Sequence, residues 1–189
     1  DGVMANSDVY INGFDLGHRP YGYVELHYDL TGHLNPAGQA NVIAVRTDTS
    51  AQPASRYYFG AGIVRHTRLV MTDPVHIDVN GTFVTTPKAA ADGATVHVRA
   101  TVDNTSAAAH MVGLKVNIMG PDGKIVGTAQ GKAESIAAGK SADLEADLAV
   151  AKPELWELDH PALYAASAQI TSDGKAADNQ NVMFGIRTA

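Results

Sequence analysis

Hydrophobic and polar residues alternate along most of the chain after residue 74. In residues 95–102 and 112–119, every second side chain is apolar and the ones between are mostly polar. A period of two places successive side chains on opposite faces of a β-strand, with one face buried and the other in water. The pattern predicts strands over residues 75–84, 95–102, 112–119, 124–129, 142–150, 164–170 and 181–186.

Turn residues separate these strands. Pro121-Asp122-Gly123 and Ser172-Asp173-Gly174 are typical of tight turns, because proline presets φ and glycine accepts a left-handed backbone. Asn80-Gly81 predicts a turn or a bulge inside its strand. Seven short strands at this spacing indicate an immunoglobulin-like β-sandwich.

Helix signals are weak. Residues 141–150 are the best candidate, but their apolar residues are two apart, so we predict a strand. The alanine-rich segments 88–91 and 107–109 have helix propensity but are short and close to turn residues, and we predict loops there.

The first part of the chain has fewer strand signals. A strand over residues 9–11 meets Asn12-Gly13, a strong hairpin signal, and further strands are predicted over 42–45 and 63–71. Asp73-Pro74 marks a boundary between residues 1–72 and residues 73–189. The first segment would leave strand edges unpaired, so we expect it to be the end of a larger β domain.

Composition excludes several classes of partner and site. The net charge is −6 and no run of Lys or Arg occurs, so neither nucleic acid nor an anionic membrane is an expected partner. The chain has no cysteine, which removes disulfides and thiolate metal sites. No cofactor is expected. The N-terminus has no initiating Met and no signal-peptide pattern, so the chain is expected to come from a longer protein.

Several short motifs occur in a consistent order. They are SDVYINGFDLG from residue 7, PYGY from 20, YDLT from 28, NVIAVR from 41, QPASRYYFGAGIVR from 52, LWELDHPALY from 155 and FGIRT from 184. Together they resemble glycoside hydrolase family 2, the family of β-galactosidases, β-glucuronidases and β-mannosidases. The resemblance covers nearly the whole chain. It departs from the family pattern at Tyr57, where a tryptophan is usual, and at Val64, where a tyrosine is usual.

The resemblance implies an all-β chain: the C-terminal part of a sugar-binding jelly roll followed by an immunoglobulin-like β-sandwich. The family hydrolyses terminal β-glycosides with retention, using two glutamates on a TIM barrel that this chain does not contain. We therefore expect no catalytic residue here, and a scaffold that contacts the barrel and meets carbohydrate substrate only through it. The motifs are most similar to the β-galactosidase branch. A bacterial periplasmic or extracellular location is expected from the same resemblance.

The resemblance also points to substrate-rim residues. The family's SRWY loop approaches the mouth of the barrel pocket, which makes Ser55, Arg56 and Tyr57 the candidates. Arg56 could instead pair with a neighbouring carboxylate. Tyr58 and Phe59 are expected to pack under the jelly roll or at its boundary with the sandwich.

The other residues capable of chemistry form no recognisable site in the sequence. A retaining glycosidase needs two carboxyl groups about 5–5.5 Å apart, and none of the five glutamates stands in such a context: Glu25, Glu134, Glu145, Glu154 and Glu157. No histidine pair has zinc-ligand spacing, so no metal site is expected. No nucleophile-elbow sequence occurs.

An alternative function uses the aromatic residues alone. Tyr21, Tyr23, Tyr57 and Tyr58 could form a platform for sugar rings in a stand-alone carbohydrate-binding or adhesive module. Trp156, the single tryptophan, is expected to pack near the end of the sandwich or at a domain interface.

Overall fold

The structure, a computed structural model, describes residues 1–50 and 60–188 and is all-β. Within these residues the one helical element is a 3₁₀ turn at Thr31–His33, and no helix there could span a membrane. The chain divides into two compact units, Asp1–Val70 and Met71–Ala189. The strands are β1 Val3–Met4, β2 Ser7–Ile11, β3 Phe14–Arg19, β4 Ile43–Thr47, β5 Gly62–Ile63, β6 Val75–Ala90, β7 Gly93–Asn104, β8 His110–Met119, β9 Ile125–Gln130, β10 Glu134–Ile136, β11 Lys140–Ala151, β12 Tyr164–Ser172 and β13 Lys175–Phe184.

The first unit contains an antiparallel sheet in the order β3–β2–β4 and a short β1–β5 pair. Asn12 and Gly13 turn β2 into β3 with φ of 50° and 85°, which is the positive-φ pair that a type I′ hairpin requires. Val9 and Ile11 point to the buried side of β2. The predicted hairpin is therefore confirmed.

The predicted strand over residues 63–71 is wrong. Only Gly62–Ile63 forms a ladder, because its partner β1 is two residues long. Beyond it the chain is held by single contacts: Val64 N–H donates to Gly2 O at 3.1 Å, and Arg68 Nη1 lies 2.7 Å from Asp1 Oδ1. Apolar composition alone did not make this segment a strand, because no partner strand was available.

The second unit consists of two sheets packed face to face. One has the order β11–β7–β6, and the other has the order β10–β8–β12–β13 with β9 also paired to β8. Alternate residues of both sheets meet in one core, as the period of two predicts. Its fully buried side chains include Ile77, Val96, Val98, Val102, Val112, Val116, Ile118, Ile136, Leu144, Ile170 and Ile186.

The Asn80-Gly81 pair forms the predicted irregularity. The β6–β7 register shifts between Ile77 and Thr82, and Asn80 has a φ of 58°. A Cβ on Gly81 would lie 2.8 Å from Asp78 O and 2.9 Å from another backbone oxygen. The bulge therefore needs glycine at this position, because the backbone approaches too closely for a side chain.

Side chains of β13 bind the backbone of β6 at and beside the bulge. Asp178 Oδ2 accepts from Ile77 N–H at 3.0 Å, and Gln180 Nε2 donates to Asp78 O at 2.8 Å. Gln180 Oε1 also accepts from Thr82 Oγ1 at 2.9 Å. These bonds join the edges of the two sheets, because β6 and β13 share no backbone ladder.

Of the other predictions for this unit, two are confirmed, one is largely wrong and one strand was missed. Residues 141–150 are a strand within β11, and 107–109 lie outside regular structure, both as predicted. The loop prediction for 88–91 is largely wrong, because β6 continues to Ala90 in register with β7. The three-residue β10 was missed, since so short a strand carries no readable period.

Candidate functional site

The predicted rim residues Ser55, Arg56 and Tyr57 lie outside the described residues, as do Tyr58 and Phe59. The structure does describe the backbone that follows them. Gly62 and Ile63 form β5, which pairs with Val3–Met4 of β1.

The Tyr21-Gly22-Tyr23 turn is anchored to the same strand. A Cβ on Gly22 would lie 2.9 Å from Val3 O and 3.0 Å from Met4 Cα, so the turn packs directly on the β1 backbone. The two tyrosine rings point outward, with exposed fractions of 59 % and 50 %. Their centroids are 5.5 Å apart at an interplanar angle of 62°.

The exposed rings of this pair have the chemistry to bind carbohydrate. Exposed aromatic rings stack on the apolar faces of sugars, and edge-to-face packing gives both rings a defined orientation. Gly22 of this turn packs on Met4 of β1, and Met4 pairs with Gly62 of β5. The Tyr21-Tyr23 turn and the start of β5 are therefore positioned by one short strand.

A polar concavity lies on the outer side of the β3–β2–β4 sheet. It has a volume of about 330 Å³ and is lined by Asn6, Asp8, His18, Arg46 and Asp48. Asp8 Oδ1 lies 2.8 Å from His18 Nδ1, and Arg46 contacts Asp8 at 3.4 Å and Asp48 at 3.6 Å.

The polar side chains of this concavity contact one another. Asp48 also accepts hydrogen bonds from the hydroxyl and N–H of Ser50, which lower the pKa of its carboxyl group. The pKa of Asp48 is thus shifted downward, whereas a general acid needs a raised pKa. The geometry suits binding of hydroxyl groups or a purely structural ion-pair network.

Three of the five glutamates are paired with histidines. Glu25 Oε2 lies 3.2 Å from His27 Nε2, and Glu154 Oε2 lies 3.3 Å from His160 Nε2. Glu145 lies 4.0 Å from His97. Among the described residues, no group of three His, Cys, Asp or Glu side chains could hold a metal ion.

The fold assembles a Ser-His-Asp arrangement that the sequence did not reveal. His110 Nδ1 lies 2.7 Å from Asp173 Oδ2, and His110 Nε2 lies 3.1 Å from Ser106 Oγ. These distances match those of a hydrolytic triad. No sequence signal could have found it, because Asp173 is 63 residues from His110 and reaches it through the β12–β13 turn.

This arrangement is a brace between turns. The Ser106 hydroxyl also contacts Asn104 Oδ1 at 2.6 Å and Ala108 O at 3.0 Å, which are the contacts of a local side-chain turn. Asp173 Oδ1 accepts from a backbone N–H of β8. The hydrogen bond from His110 and this backbone bond lower the pKa of Asp173. All three side chains thus connect the β7–β8 loop to the β12–β13 turn.

Trp156 packs at the end of the larger unit. The backbone N–H of Trp156 donates to Ile186 O at 2.9 Å, and a Cβ on Gly185 would lie 2.8 Å from three Trp156 side-chain atoms. The Arg187 guanidinium lies 4.9 Å from the ring centroid. The half-buried ring is therefore held between glycine backbone and a cation, as expected for packing at the end of the sandwich.

Comparison with known proteins identifies close relatives among glycosidases. The chain is 37 % identical over 188 residues to "Beta-galactosidase BoGH2A" of Bacteroides ovatus, and 36 % identical over 190 residues to a "Putative beta-glucuronidase" of Formosa agariphila. Each alignment covers 100 % of this chain, but only 22 % and 17 % of the two relatives.

Solved structures give the same result. A glycosyl hydrolase family 2 member from Bacteroides cellulosilyticus matches 99 % of this chain with a TM-score of 0.92 and 34 % identity, over 25 % of its own length. A β-glucuronidase from glycoside hydrolase family 2 matches 99 % with a TM-score of 0.88 and 27 % identity, over 22 % of its length. The chain thus spans about a fifth to a quarter of most of these relatives. Because the family model described as glycosyl hydrolases family 2 matches residues 75–187, well over half of the sequence, the chain belongs to that family.

Proposed function

We propose that this chain forms the non-catalytic β domains of a longer, retaining family 2 glycosidase that acts on terminal β-galactosides. Residues 1–72 would be the C-terminal part of a sugar-binding jelly roll, and residues 73–189 an immunoglobulin-like sandwich. One observation carries the proposal. The full chain aligns with a β-galactosidase at 37 % identity, yet it accounts for only 22 % of that enzyme.

The geometry of the chain agrees with a scaffold role. The exposed glutamates and aspartates described above are paired with histidine, arginine or serine, and the carboxyl groups with shifted pKa values are shifted downward. A retaining acid/base group instead needs a raised pKa and a second carboxyl group about 5–5.5 Å away. The bond-breaking groups are therefore expected in the catalytic barrel, and the rim contacts at Ser55, Arg56 and Tyr57.

Activity measurements on the chain and on the intact enzyme test this function. The purified 189-residue chain should not hydrolyse p-nitrophenyl β-galactoside above the blank rate. The intact enzyme should hydrolyse it faster than the β-glucuronide, and NMR should show a product with retained anomeric configuration. Turnover by the isolated chain would refute the scaffold role, and a preference for the β-glucuronide would refute the substrate assignment.

The exposed Tyr21 and Tyr23 rings favour a second candidate, a carbohydrate-binding module. Under the scaffold proposal, galactose titrated into the isolated chain should bind weakly or not at all, because an incomplete site bears the costs of binding without all the contacts. Saturable binding in the micromolar range that Tyr21→Ala abolishes would support the module instead.

A further inference from the structure

The outer face of the larger sheet has an unusual composition. Cross-strand registers place its residues in three rows of four that run across β9, β8, β12 and β13. We call these twelve positions the neutral face. The rows are Ile125, Met119, Ala165 and Met183; then Thr128, Asn117, Ser167 and Asn181; then Gln130, Lys115, Gln169 and Asn179.

The neutral face carries one charged residue, Lys115, although its unit is acidic. Residues 71–189 contain nine Lys or Arg and fourteen Asp or Glu, a balance of 9 − 14 = −5. None of those fourteen carboxyl groups belongs to the twelve positions. The charge depletion is therefore local and does not follow from the overall composition.

The outer face of the other sheet shows what a solvated surface of this unit looks like. There β7 and β11 pair Arg99 with Glu145 and His97 with Asp147 in register. His97 Nδ1 lies 2.9 Å from Asp147 Oδ1, and Thr101 Oγ1 donates to an aspartate at 2.6 Å. We call this the charged face. Its ionic side chains are paired with one another, as is common on a surface in contact with water.

The polar groups of the neutral face are largely available for new bonds. Thr128 Oγ1 donates to Asn117 Oδ1 at 2.9 Å. Within the described residues, the side chains of Gln130, Gln169 and Asn181 make no hydrogen bond. Beside them the apolar row ends in Ile125 and Met183, which are 61 % and 62 % exposed. Depletion of charge together with exposed methionine is typical of the core of a protein contact surface, and the unpaired amides can bond a partner.

The area of the neutral face decides between possible occupants. Four strands spaced about 4.8 Å apart and three rows about 6.8 Å apart cover about 400 Å². Contact with a second protein surface would bury about 800 Å² in total, which is below the roughly 1,200 Å² of a stable complex between separate molecules. It lies within the roughly 600–1,500 Å² typical of contacts between domains of one chain.

We propose that the neutral face is the docking surface for another domain of the same polypeptide, one outside residues 1–189. This inference rests on the proposed function, in which the chain belongs to a longer enzyme. The relatives are four to six times as long as the part that this chain matches, since it covers 17 % to 25 % of them. Covalent connection supplies the high effective concentration that so small a contact area needs.

Oxidation of Met183 by hydrogen peroxide reports directly on this surface. In the isolated chain its exposed thioether should oxidise at the rate of an accessible methionine, whereas in the intact enzyme the rate should fall at least tenfold. Equal rates in the two proteins would overturn the proposal. If Met183 in the isolated chain becomes protected from oxidation as the protein concentration rises, a second copy covers the neutral face and the proposal is wrong. If added lactose protects Met183 in the isolated chain, a glycan binds there instead.

Paired substitutions provide a second measurement. Met183→Glu should lower the thermal unfolding midpoint of the intact enzyme by about 3 °C or more, and leave that of the isolated chain within about 1 °C. The matched control is Ala149→Glu on the charged face, an exposed position that should change neither midpoint by more than about 1 °C. Equal shifts for Met183→Glu in both proteins would show that no domain docks there. Hydrolysis of a β-galactoside by the intact enzyme would still support the proposed function in that case.

Discussion

Asn104, at the end of β7, offers the sharpest test of how the larger unit is held together. Its side chain is 1 % exposed and uses all of its hydrogen-bonding capacity. Nδ2 donates to Ala108 O at 2.7 Å and to Ile136 O at 2.9 Å. Oδ1 accepts from the N–H and the hydroxyl of Ser106 at 3.0 and 2.6 Å. One amide therefore joins β7, the β7–β8 loop and β10.

Asn104→Ala removes these four hydrogen bonds, and the burial of each bond determines how much free energy of unfolding is lost. The bond to Ile136 O is buried, so leaving that carbonyl without a donor costs about 1–3 kcal/mol. The other bonds are part-buried, and their groups recover some solvation from water. We expect a total loss of about 3 kcal/mol in the free energy of unfolding. That is a large part of the 5–15 kcal/mol that stabilises a typical domain.

Asn104→Asp tests the two hydrogen bonds that Asn104 donates separately from the two that it accepts. The new carboxylate keeps an acceptor for Ser106 but turns its second oxygen toward the carbonyls of Ala108 and Ile136. Burial beside these carbonyls raises the pKa of the new carboxyl group, because only its protonated form can donate. Stability should therefore be higher at pH 4 than at pH 7 relative to the parent chain, and should fall as the pH rises through the folded-state pKa.

Urea denaturation of the 189-residue chain, followed by Trp156 fluorescence, measures the stability of both the Asn104→Ala and the Asn104→Asp variant. Trp156 is the single tryptophan and lies in the larger unit, so its emission reports that unit. A loss of 3 kcal/mol should lower the urea midpoint by about 2 M. The control Asn179→Ala, at an exposed position of β13, should change stability by less than about 0.5 kcal/mol. A loss below about 1 kcal/mol for Asn104→Ala, or an Asn104→Asp variant insensitive to pH, would refute this reasoning.

Three further predictions concern contacts between distant parts of the chain. Gln180→Ala should cost about 1–3 kcal/mol in urea denaturation, because three polar groups of β6 lose their partner; an unchanged midpoint would show that water replaces it. Gly185→Ala should cost about 1–3 kcal/mol and shift Trp156 emission, since the added Cβ would lie 2.8 Å from the indole; a change in neither would contradict the contact. Asp173 has a lowered folded-state pKa, so its stabilising contribution is present above the ordinary value of 3.8 and is lost as the pH falls through the folded pKa. Asp173→Asn should reduce the loss of stability measured by acid titration below about pH 4, and an unchanged acid profile would exclude Asp173 as a contributor.

Local patterns in the sequence were sufficient wherever neighbouring residues decide the backbone. The alternation in residues 95–102 correctly predicts that Val96 and Val98 are buried, because a period of two leaves one face for the core. Asn12-Gly13 correctly predicts a hairpin, because few other residues accept positive φ. Asn80-Gly81 correctly predicts a bulge, because Asn80 has positive φ and the backbone at Gly81 leaves no room for a Cβ. The order of motifs also identified the family, which the match over residues 75–187 confirms.

Long-range pairing decided the rest. Residues 64–71 are as apolar as many strands but have no ladder, since β1 extends only over Val3–Met4. The contact between His110 and Asp173, and that between Gln180 and β6, join residues 63 and about 100 positions apart. The neutral face exists only because four strands meet in one register. Sequence periodicity reports which side of each strand is buried, but the tertiary structure decides which residues share a surface, because pairing partners are chosen by the whole fold.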